Sequence, residues 1–467
     1  MTPPSTTPAR SRQPPPPFDL GVINHTPIKE ESAPMNQSQT NNNEGKPQPP
    51  AFLRWFVLVT ISLAMFGNYY VYDSISPLAD ILKSQLHFTN QNVGLLNAIY
   101  SIPNVFMVLI GGFIIDRIGT RKGTLLFGVI CLTGAMITAS TGSIIPMATG
   151  RLIFGLGAES LIVAVTTAIA KWFRGKELSF AFGINLTIAR LGSFAALNSP
   201  TWAKTFYTNW RLPLLISVVF AVISVVGSLI YFLTEKGAEK RFFLGKAGET
   251  DKISPKDILT FGPSYWFIVA LCVTFYSAMF PFQTFAIDFF ITAHAATRQQ
   301  AGFLSSMLTL FAMICTPIFG FIVDRVGRRS LFMMFGSFLI IPVYLLMGYT
   351  RIPLYIPMSA MGIAFSLIPA IMWPSVAYIV KQEKLGTAYG LMTMIQNIGL
   401  AGANLLIGFV NDLAGAGVSN PAGYRPGMWF FSCFGFLGLF FATLLRIRET
   451  GPKAHGLETA SGTKNKS

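Results

Sequence analysis

Long apolar stretches, separated by short polar loops, follow one another along most of the chain. A helix of about 20 apolar residues spans the hydrocarbon core of a bilayer, which is about 30 Å thick. The pattern predicts twelve such helices in two sets of six, at approximately 54–76, 93–115, 123–141, 144–171, 178–202 and 212–234, and at approximately 265–290, 300–323, 330–349, 353–380, 386–410 and 427–446. The predicted fold class is therefore an all-α membrane protein.

Polar segments flank and divide the two sets. Residues 1–50 are rich in Pro, Ser, Thr, Asn and Gln and predict a disordered cytoplasmic tail. A charged cytoplasmic linker, 235–263, separates an N-terminal six-helix bundle, 51–234, from a C-terminal one, 264–447, and a second disordered cytoplasmic tail covers 448–467. Lys and Arg are concentrated in the loops after even-numbered spans, which places both termini in the cytoplasm.

The two sets of helices repeat each other in sequence. GGFIIDRIGTRKG at 111–123 recurs as FGFIVDRVGRRS at 319–330, and a second echo relates 181–192 to 388–399. Parallel six-helix repeats place a substrate site between the halves near the bilayer midplane, and rocking of one half on the other gives alternating access. We therefore expect two pseudo-repeats around a central site.

The repeated loop carries an acid between glycines, followed by bases. A tight basic turn would explain the Arg and Lys residues, because cytoplasmic loops are rich in them. It would not explain the repeated Gly and Asp spacing, which favours pairing of the acid with bases across the two halves when the outside is open. The predicted gating residues in these loops are Asp116, Arg117, Arg121, Asp324, Arg325 and Arg328.

Composition argues against several classes of function. Only 12% of the residues are charged against 52% hydrophobic, and the formal net charge of +15 is scattered over short loops, which disfavours a nucleic-acid partner. The four cysteines fall in four different spans and the four histidines in tails or loops, so no disulfide framework or metal site is predicted. No nucleophile, base and orienting group occur together, so neither an enzyme nor a cofactor is expected.

Glu159 and Arg190 are charged residues far from the ends of their predicted spans. A charge at a helix centre in a membrane costs about 2.5 to 3.5 kcal/mol, so such residues usually face a cavity or each other. One alternative is a permanent ion pair, but buried pairs stabilise poorly because desolvation opposes the attraction. The favoured hypothesis is that Glu159 binds the ammonium and Arg190 the carboxylate of one zwitterion.

The C-terminal half has no charged counterpart of this pair, so we expect it to contribute neutral polar groups. Each such residue, taken alone, is more often a packing or helix-contact residue than a ligand. Together they would form the mixed polar and apolar wall of a small-molecule site. The candidates from both halves are Asn68, Tyr69, Tyr72, Gln283, Trp373, Gln396 and Asn397.

The repeated loop motif resembles the signature of the major facilitator superfamily, a family of twelve-helix transporters. Arg151 with Gly155 and Gly157 resembles the family's helix 4 pattern. The resemblance implies that Arg151 lies near the substrate path and supports gating or proton coupling. A structural role, in which Arg151 hydrogen-bonds backbone carbonyls at a helix contact, is equally open.

Several longer strings, among them GRLIFGLGAESLIVA and LGTAYGLMTMIQNIGLA, resemble a branch of the superfamily that transports dipeptides in animal lysosomes. That resemblance implies passive dipeptide transport, with Glu159 receiving the amino group, Arg190 the carboxylate, and Tyr72 lining the site. The expected function is a uniporter of dipeptides or similar small zwitterions. A proton-coupled carrier of an amino acid or organic anion, and a non-transporting receptor or scaffold, are the alternatives.

The predicted twelve-helix transporter also implies a location and partners. A multi-pass protein has the lipid bilayer as a partner. The expected location is the cell membrane, inner or plasma, and the lysosomal membrane is the alternative. A monomer is expected unless an accessory membrane subunit takes part.

Overall fold

A computed structural model describes residues 47–173, 176–244, 258, 260–381 and 384–459, apart from the side chains at 176 and 179. The predicted N-terminal tail up to residue 46, most of the predicted linker and residues 460–467 lie outside this description. Within it, twelve helices are long and apolar enough to cross a membrane, which confirms the predicted all-α fold class.

The helices form two sets of six. The first set is α1 Ala51–Asp73, α2 Asn90–Ile118, α3 Thr120–Ser140, α4 Ile144–Trp172, α5 Lys176–Leu197 and α6 Arg211–Arg241. The second set is α7 Pro263–His294, α8 Arg298–Val326, α9 Arg329–Tyr349, α10 Tyr355–Ile379, α11 Leu385–Leu413 and α12 Arg425–Glu449. A short helix, Ala79–Leu86, follows α1. We call the side on which α1 begins and α12 ends the terminal face, and the opposite side the distal face.

The sequence repeat is visible in the turns. Gly119 joins α2 to α3 with φ of 82°, and Gly327 joins α8 to α9 with φ of 70°. Residues with a Cβ rarely adopt this left-handed region, so both turns need glycine. Thr89 and Thr297 cap α2 and α8, each accepting a hydrogen bond from a backbone N–H of the first turn. The equivalent hairpins of the two halves therefore begin and turn in the same way.

Each half has its own apolar core, and large apolar side chains also cover the outside of the helices. This distribution fits a protein whose helices face lipid rather than water along their middle part.

A buried carboxylate ties three helix ends together at the terminal face of the first half. Glu235 on α6 is 1% exposed and accepts hydrogen bonds from Lys171 Nζ at 2.8 Å, Trp172 Nε1 at 2.9 Å and Thr120 Oγ1 at 3.0 Å, and from the Tyr231 hydroxyl. Because α6 continues to Arg241, the first residues of the predicted linker, 235–241, are helical.

The sequence pattern predicts a disordered tail from 448, but the described residues after α12, up to 459, pack against the second half. Leu457 is fully buried, and Glu458 accepts hydrogen bonds from the backbone N–H and hydroxyl of Ser330. The backbone N–H of Arg328 also donates to the Glu458 carbonyl at 3.1 Å. This segment therefore packs on the turn between α8 and α9, a tertiary contact that local composition does not reveal.

Candidate functional site

A cavity of about 200 Å³ lies between the two halves and is lined by both. Of its described residues, the charged ones, Asp73, Glu159 and Arg190, all belong to the first half. The second half contributes neutral polar side chains and rings, including Thr309, Gln283, Gln396, Asn397, Tyr276, Phe280 and Phe365. The cavity is therefore electrostatically one-sided, as the sequence pattern predicts.

Glu159 on α4 and Arg190 on α5 both line the cavity, but they do not pair with each other. Among the residues that the structure describes, neither side chain has a hydrogen bond or salt bridge. The Arg190 guanidinium instead lies 5.8 Å from the ring centre of Tyr69 and 5.7 Å from that of Phe365. The alternative of a permanent ion pair between α4 and α5 is therefore not what the structure shows, and both charges remain available to a ligand.

Six of the neutral polar candidates reach this cavity: Asn68, Tyr69, Tyr72, Gln283, Gln396 and Asn397. Asn68, however, already uses its carboxamide within the first half, donating to the Ala158 carbonyl at 3.3 Å and accepting from Cys131 Sγ at 3.8 Å. Its geometry is that of a helix-contact residue at the edge of the cavity.

Trp373 is not among the residues that line the cavity, which corrects the prediction made for it. Its indole N–H donates to the Tyr276 hydroxyl at 3.0 Å, and Tyr276 faces the cavity. Trp373 therefore lies behind the wall and positions one of its rings.

Arg151 makes the contacts that the structural alternative predicts, and its predicted gating role remains a prediction. It is 1% exposed and donates to the backbone carbonyls of Val71 at 3.0 Å, Tyr72 at 3.1 Å and Leu96 at 3.1 Å, and to Asn97 Oδ1 at 3.1 Å. These contacts join α1, α2 and α4 within one half. Because the end of α1 carries Tyr72, Arg151 acts on the cavity through the backbone that holds this ring.

The bases of the repeated loops make contacts within their own halves. Arg117 stacks on Phe113 at 4.4 Å, and Arg325 stacks on Phe321, its equivalent in the repeat, at 4.2 Å. Arg121 forms a salt bridge with Glu239. The predicted gating role of these loops, including Asp116, Asp324 and Arg328, remains a prediction.

Asp73 and Ser193 line the cavity without having been singled out from the sequence. Residues three and four apart share a helix face, so Tyr69, Tyr72 and Asp73 lie on one face of α1. That spacing is the signal that could have identified Asp73.

Charged groups close the distal face between the halves. Lys83, in the short helix after α1, lies 2.5 Å from Asp288 Oδ2 on α7, and the Tyr424 hydroxyl donates to the same oxygen at 2.5 Å. Arg298 pairs with Asp80 through two hydrogen bonds, at 2.9 and 2.5 Å. We call Lys83, Asp288 and Tyr424 the distal lock.

A further set of distal contacts joins α2 to α11. Asp412 accepts from the backbone N–H groups of Asn90 and Gln91, both at 2.8 Å, and so caps α2 from the other half. A Cβ at Gly94 would lie 2.3 Å from the Asn404 carbonyl oxygen, so only glycine permits this approach. Among the described residues, the hydrogen bonds and salt bridges between the halves all lie at this distal end.

Comparison with known proteins agrees with this architecture. The chain is 34% identical to the lysosomal dipeptide transporter MFSD1 of Danio rerio over 378 residues, which is 78% of this chain and 81% of that protein. It is 32% identical to MFSD1 of Homo sapiens over 377 residues, again 78% of this chain and 81% of that protein.

Solved structures share the fold at low sequence identity. A bacterial homologue of the human lysosomal transporter Spinster, in an inward-facing and occupied conformation, superposes with a TM-score of 0.71 at 17% identity, covering 85% of this chain and 98% of that one. A mutant of the nucleoside transporter NupG gives a TM-score of 0.70 at 15% identity, covering 83% and 99%.

The sequence profile of the Major Facilitator Superfamily matches residues 61–294 and 282–466. Twelve spanning helices, the repeated loop motif and a cavity between two halves accompany that match. The chain therefore belongs to the Major Facilitator Superfamily of transporters.

Proposed function

We propose that the protein is an alternating-access uniporter of dipeptides. The observation that carries the proposal is that Glu159 and Arg190, opposite in charge and unpaired with each other, line one cavity between the halves. The relatives at 32–34% identity, named as lysosomal dipeptide transporters, support the same substrate class.

The chemistry of the substrate matches the two charges. A dipeptide at neutral pH carries an ammonium at one end and a carboxylate at the other. The carboxylate of Glu159 suits the ammonium, and the planar guanidinium of Arg190 can hold the substrate carboxylate through two parallel hydrogen bonds. The rings of Tyr69 and Phe365 flank the guanidinium and restrict its orientation. Binding both ends replaces the water that a zwitterion loses inside a membrane protein.

Alternating access follows from the two halves. With the distal lock formed, the distal side of the cavity is closed, and we assign the arrangement to the state that opens towards the terminal face. Rocking then has to break the distal lock while the repeated loops, with Asp116 and Asp324, close the terminal face. The positive-inside rule makes the terminal face cytoplasmic.

A single chain supplies every side chain of the proposed site, so we propose the monomer as the transport unit, with any accessory membrane subunit outside the site. We place it in the cell membrane, and a fluorescent fusion compared with markers of the cell and lysosomal membranes tests that location.

Uptake of labelled dipeptide into proteoliposomes tests the function. Wild type should equilibrate the dipeptide without a pH gradient, and Glu159→Gln and Arg190→Ala should lose both the uptake and the thermal stabilisation by dipeptide. Glu177→Gln and Lys204→Ala, which change charges of the same signs away from the cavity, are the matched controls. No flux in wild type would refute the proposal, and accumulation driven by a proton gradient would replace the uniporter with a proton-coupled carrier.

A further inference from the structure

Gln283 on α7 presents an unused carboxamide to the cavity. The residue is 6% exposed and lines the cavity, yet its side chain has no hydrogen-bond partner among the residues that the structure describes. An amide that faces a cavity without a protein partner leaves its hydrogen bonds to whatever fills that cavity. In a substrate cavity, that partner is water in the empty state and the substrate in the bound state.

The other amides near the cavity are at least partly engaged. Asn397 donates to the Thr393 carbonyl at 3.0 Å, and Gln396 accepts from Cys272 Sγ at 3.5 Å. Only Gln283, of the cavity amides described, keeps both its donor and its acceptor free.

A primary carboxamide is the hydrogen-bonding complement of a peptide bond. Its N–H can donate to the peptide carbonyl, or its C=O can accept from the peptide N–H. Because these two groups point in opposite directions in a trans peptide bond, one side chain engages one of them at a time. The charged residues on the opposite half suit the two ends of a dipeptide but are indifferent to what joins them. The middle of the substrate is left to the neutral half, where Gln283 lies.

We infer that Gln283 is the specificity-determining residue that recognises the peptide bond. It selects dipeptides over zwitterions that have the same terminal charges and the same length but no peptide bond. The inference rests on the proposed dipeptide function and adds to it the group that distinguishes a dipeptide from other zwitterions.

Three compounds with four atoms between the amino nitrogen and the carboxyl carbon separate the contributions. Glycylglycine has both peptide groups, 5-amino-4-oxopentanoate keeps only the carbonyl, and 5-aminopentanoate has neither. Calorimetric titration of the purified protein should show glycylglycine binding about 2- to 10-fold more tightly than 5-aminopentanoate, because one net hydrogen bond is worth about 0.5 to 1.5 kcal/mol. The affinity of 5-amino-4-oxopentanoate should match that of glycylglycine if Gln283 binds the carbonyl, and that of 5-aminopentanoate if it binds the N–H.

Gln283→Met keeps the length and the apolar volume of the side chain and removes its hydrogen bonds. In this variant, the affinity for glycylglycine should fall about 2- to 10-fold, whereas 5-aminopentanoate should bind as it does to wild type. A residue with only a structural role would change both affinities alike, and the unchanged affinity for 5-aminopentanoate also reports an intact fold. Gln299→Met, in the first turn of α8 and outside the cavity, is the matched control and should leave all three affinities unchanged.

The possible failures are distinguishable. If wild type binds none of the three compounds, the proposed function itself fails. If wild type binds glycylglycine and Gln283→Met weakens all compounds equally or none, dipeptide transport stands and the role of Gln283 is refuted.

Discussion

Replacing Asp288 with Asn should open the distal face. Asp288 is almost fully buried, with its side chain 2% exposed, and it receives Lys83 from the other half at 2.5 Å. Asn removes the negative charge and leaves the Lys83 ammonium, whose side chain is 17% exposed, facing a neutral group. The substitution destabilises only the closed state, because the two side chains separate when the distal face opens.

The free-energy cost of Asp288→Asn in the closed state follows from the burial of the ion pair. Removing one partner of a buried ion pair costs about 3 to 5 kcal/mol. Lys83 is partly exposed and keeps hydrogen bonds to Asn90 and Tyr424, both at 3.1 Å, so a smaller penalty applies here. We expect about 2 to 3 kcal/mol, which shifts the ratio of closed to open molecules by about 30- to 150-fold.

Distances between spin labels on the distal face measure this shift. Labels at Thr205 in the first half and Val418 in the second, after the exposed native Cys433 is changed to Ser, report the opening directly. Wild type should give mainly the short distance, and Asp288→Asn should add a long-distance population.

The double variant separates the ion pair from general damage. Lys83→Met and Asp288→Leu, each alone, should open the distal face as Asp288→Asn does. Combining Lys83→Met with Asp288→Leu should restore much of the closed population, because replacing both buried charges with apolar groups is often nearly neutral. An unchanged distance distribution in the single variants, or effects that simply add in the double variant, would refute the role of the lock.

Three further predictions test other parts of the structure. Gly94→Ala places a methyl group against the Asn404 carbonyl, so it should prevent distal closure and lower dipeptide uptake by at least about 10-fold, measured in proteoliposomes. Glu235→Leu leaves Trp172 Nε1 without its acceptor and Lys171 with only Glu239, which should cost about 2 to 3 kcal/mol and lower the apparent melting temperature in detergent. Arg190→Lys should weaken dipeptide binding about 10-fold by calorimetry without changing that melting temperature, because an ammonium lacks the planar fork of a guanidinium; unchanged binding would contradict the assignment.

The sequence predicts the helices and the charged part of the cavity for the same physical reason. Lipid tolerates neither unpaired backbone groups nor unpaired charges, so each span needs a long apolar run, and each charge within a span marks a special position. Glu159 and Arg190 are conspicuous for this reason, and the structure brings both to one cavity. Tyr69, Tyr72 and Gln283 also reach it, although polar groups of that kind carry a weaker signal.

The distal lock, the position of Trp373 and the contacts of Arg151 could not be predicted from the sequence for the opposite reason. Lys83 and Asp288 lie at span ends, where charges are inexpensive and common, so nothing local distinguishes a lock from a solvated loop. Whether Trp373 lines the cavity or supports Tyr276 depends on the rotation of α10 against α7, which is a tertiary property. Arg151 satisfies backbone carbonyls of two other helices, and the sequence contains no record of which carbonyls lie nearby.

Coupling of binding to rocking depends on contacts that differ between the two states. A ligand shifts a conformational equilibrium only by the difference of its affinities for the two conformations. The Arg190 guanidinium contacts Tyr69 of its own half and Phe365 of the other, so its surroundings, and with them the proposed carboxylate site, change when the halves move apart on that side. A uniporter also has to change between its two states without substrate. The distal lock can therefore stabilise one state only as far as equivalent contacts at the terminal face stabilise the other. In the proposed transport cycle, the repeated loops, with Asp116 and Asp324 at matching positions, provide that balance. In this proposal, the symmetry of the two halves serves the return of the empty carrier, and their asymmetry in charge serves the recognition of the substrate.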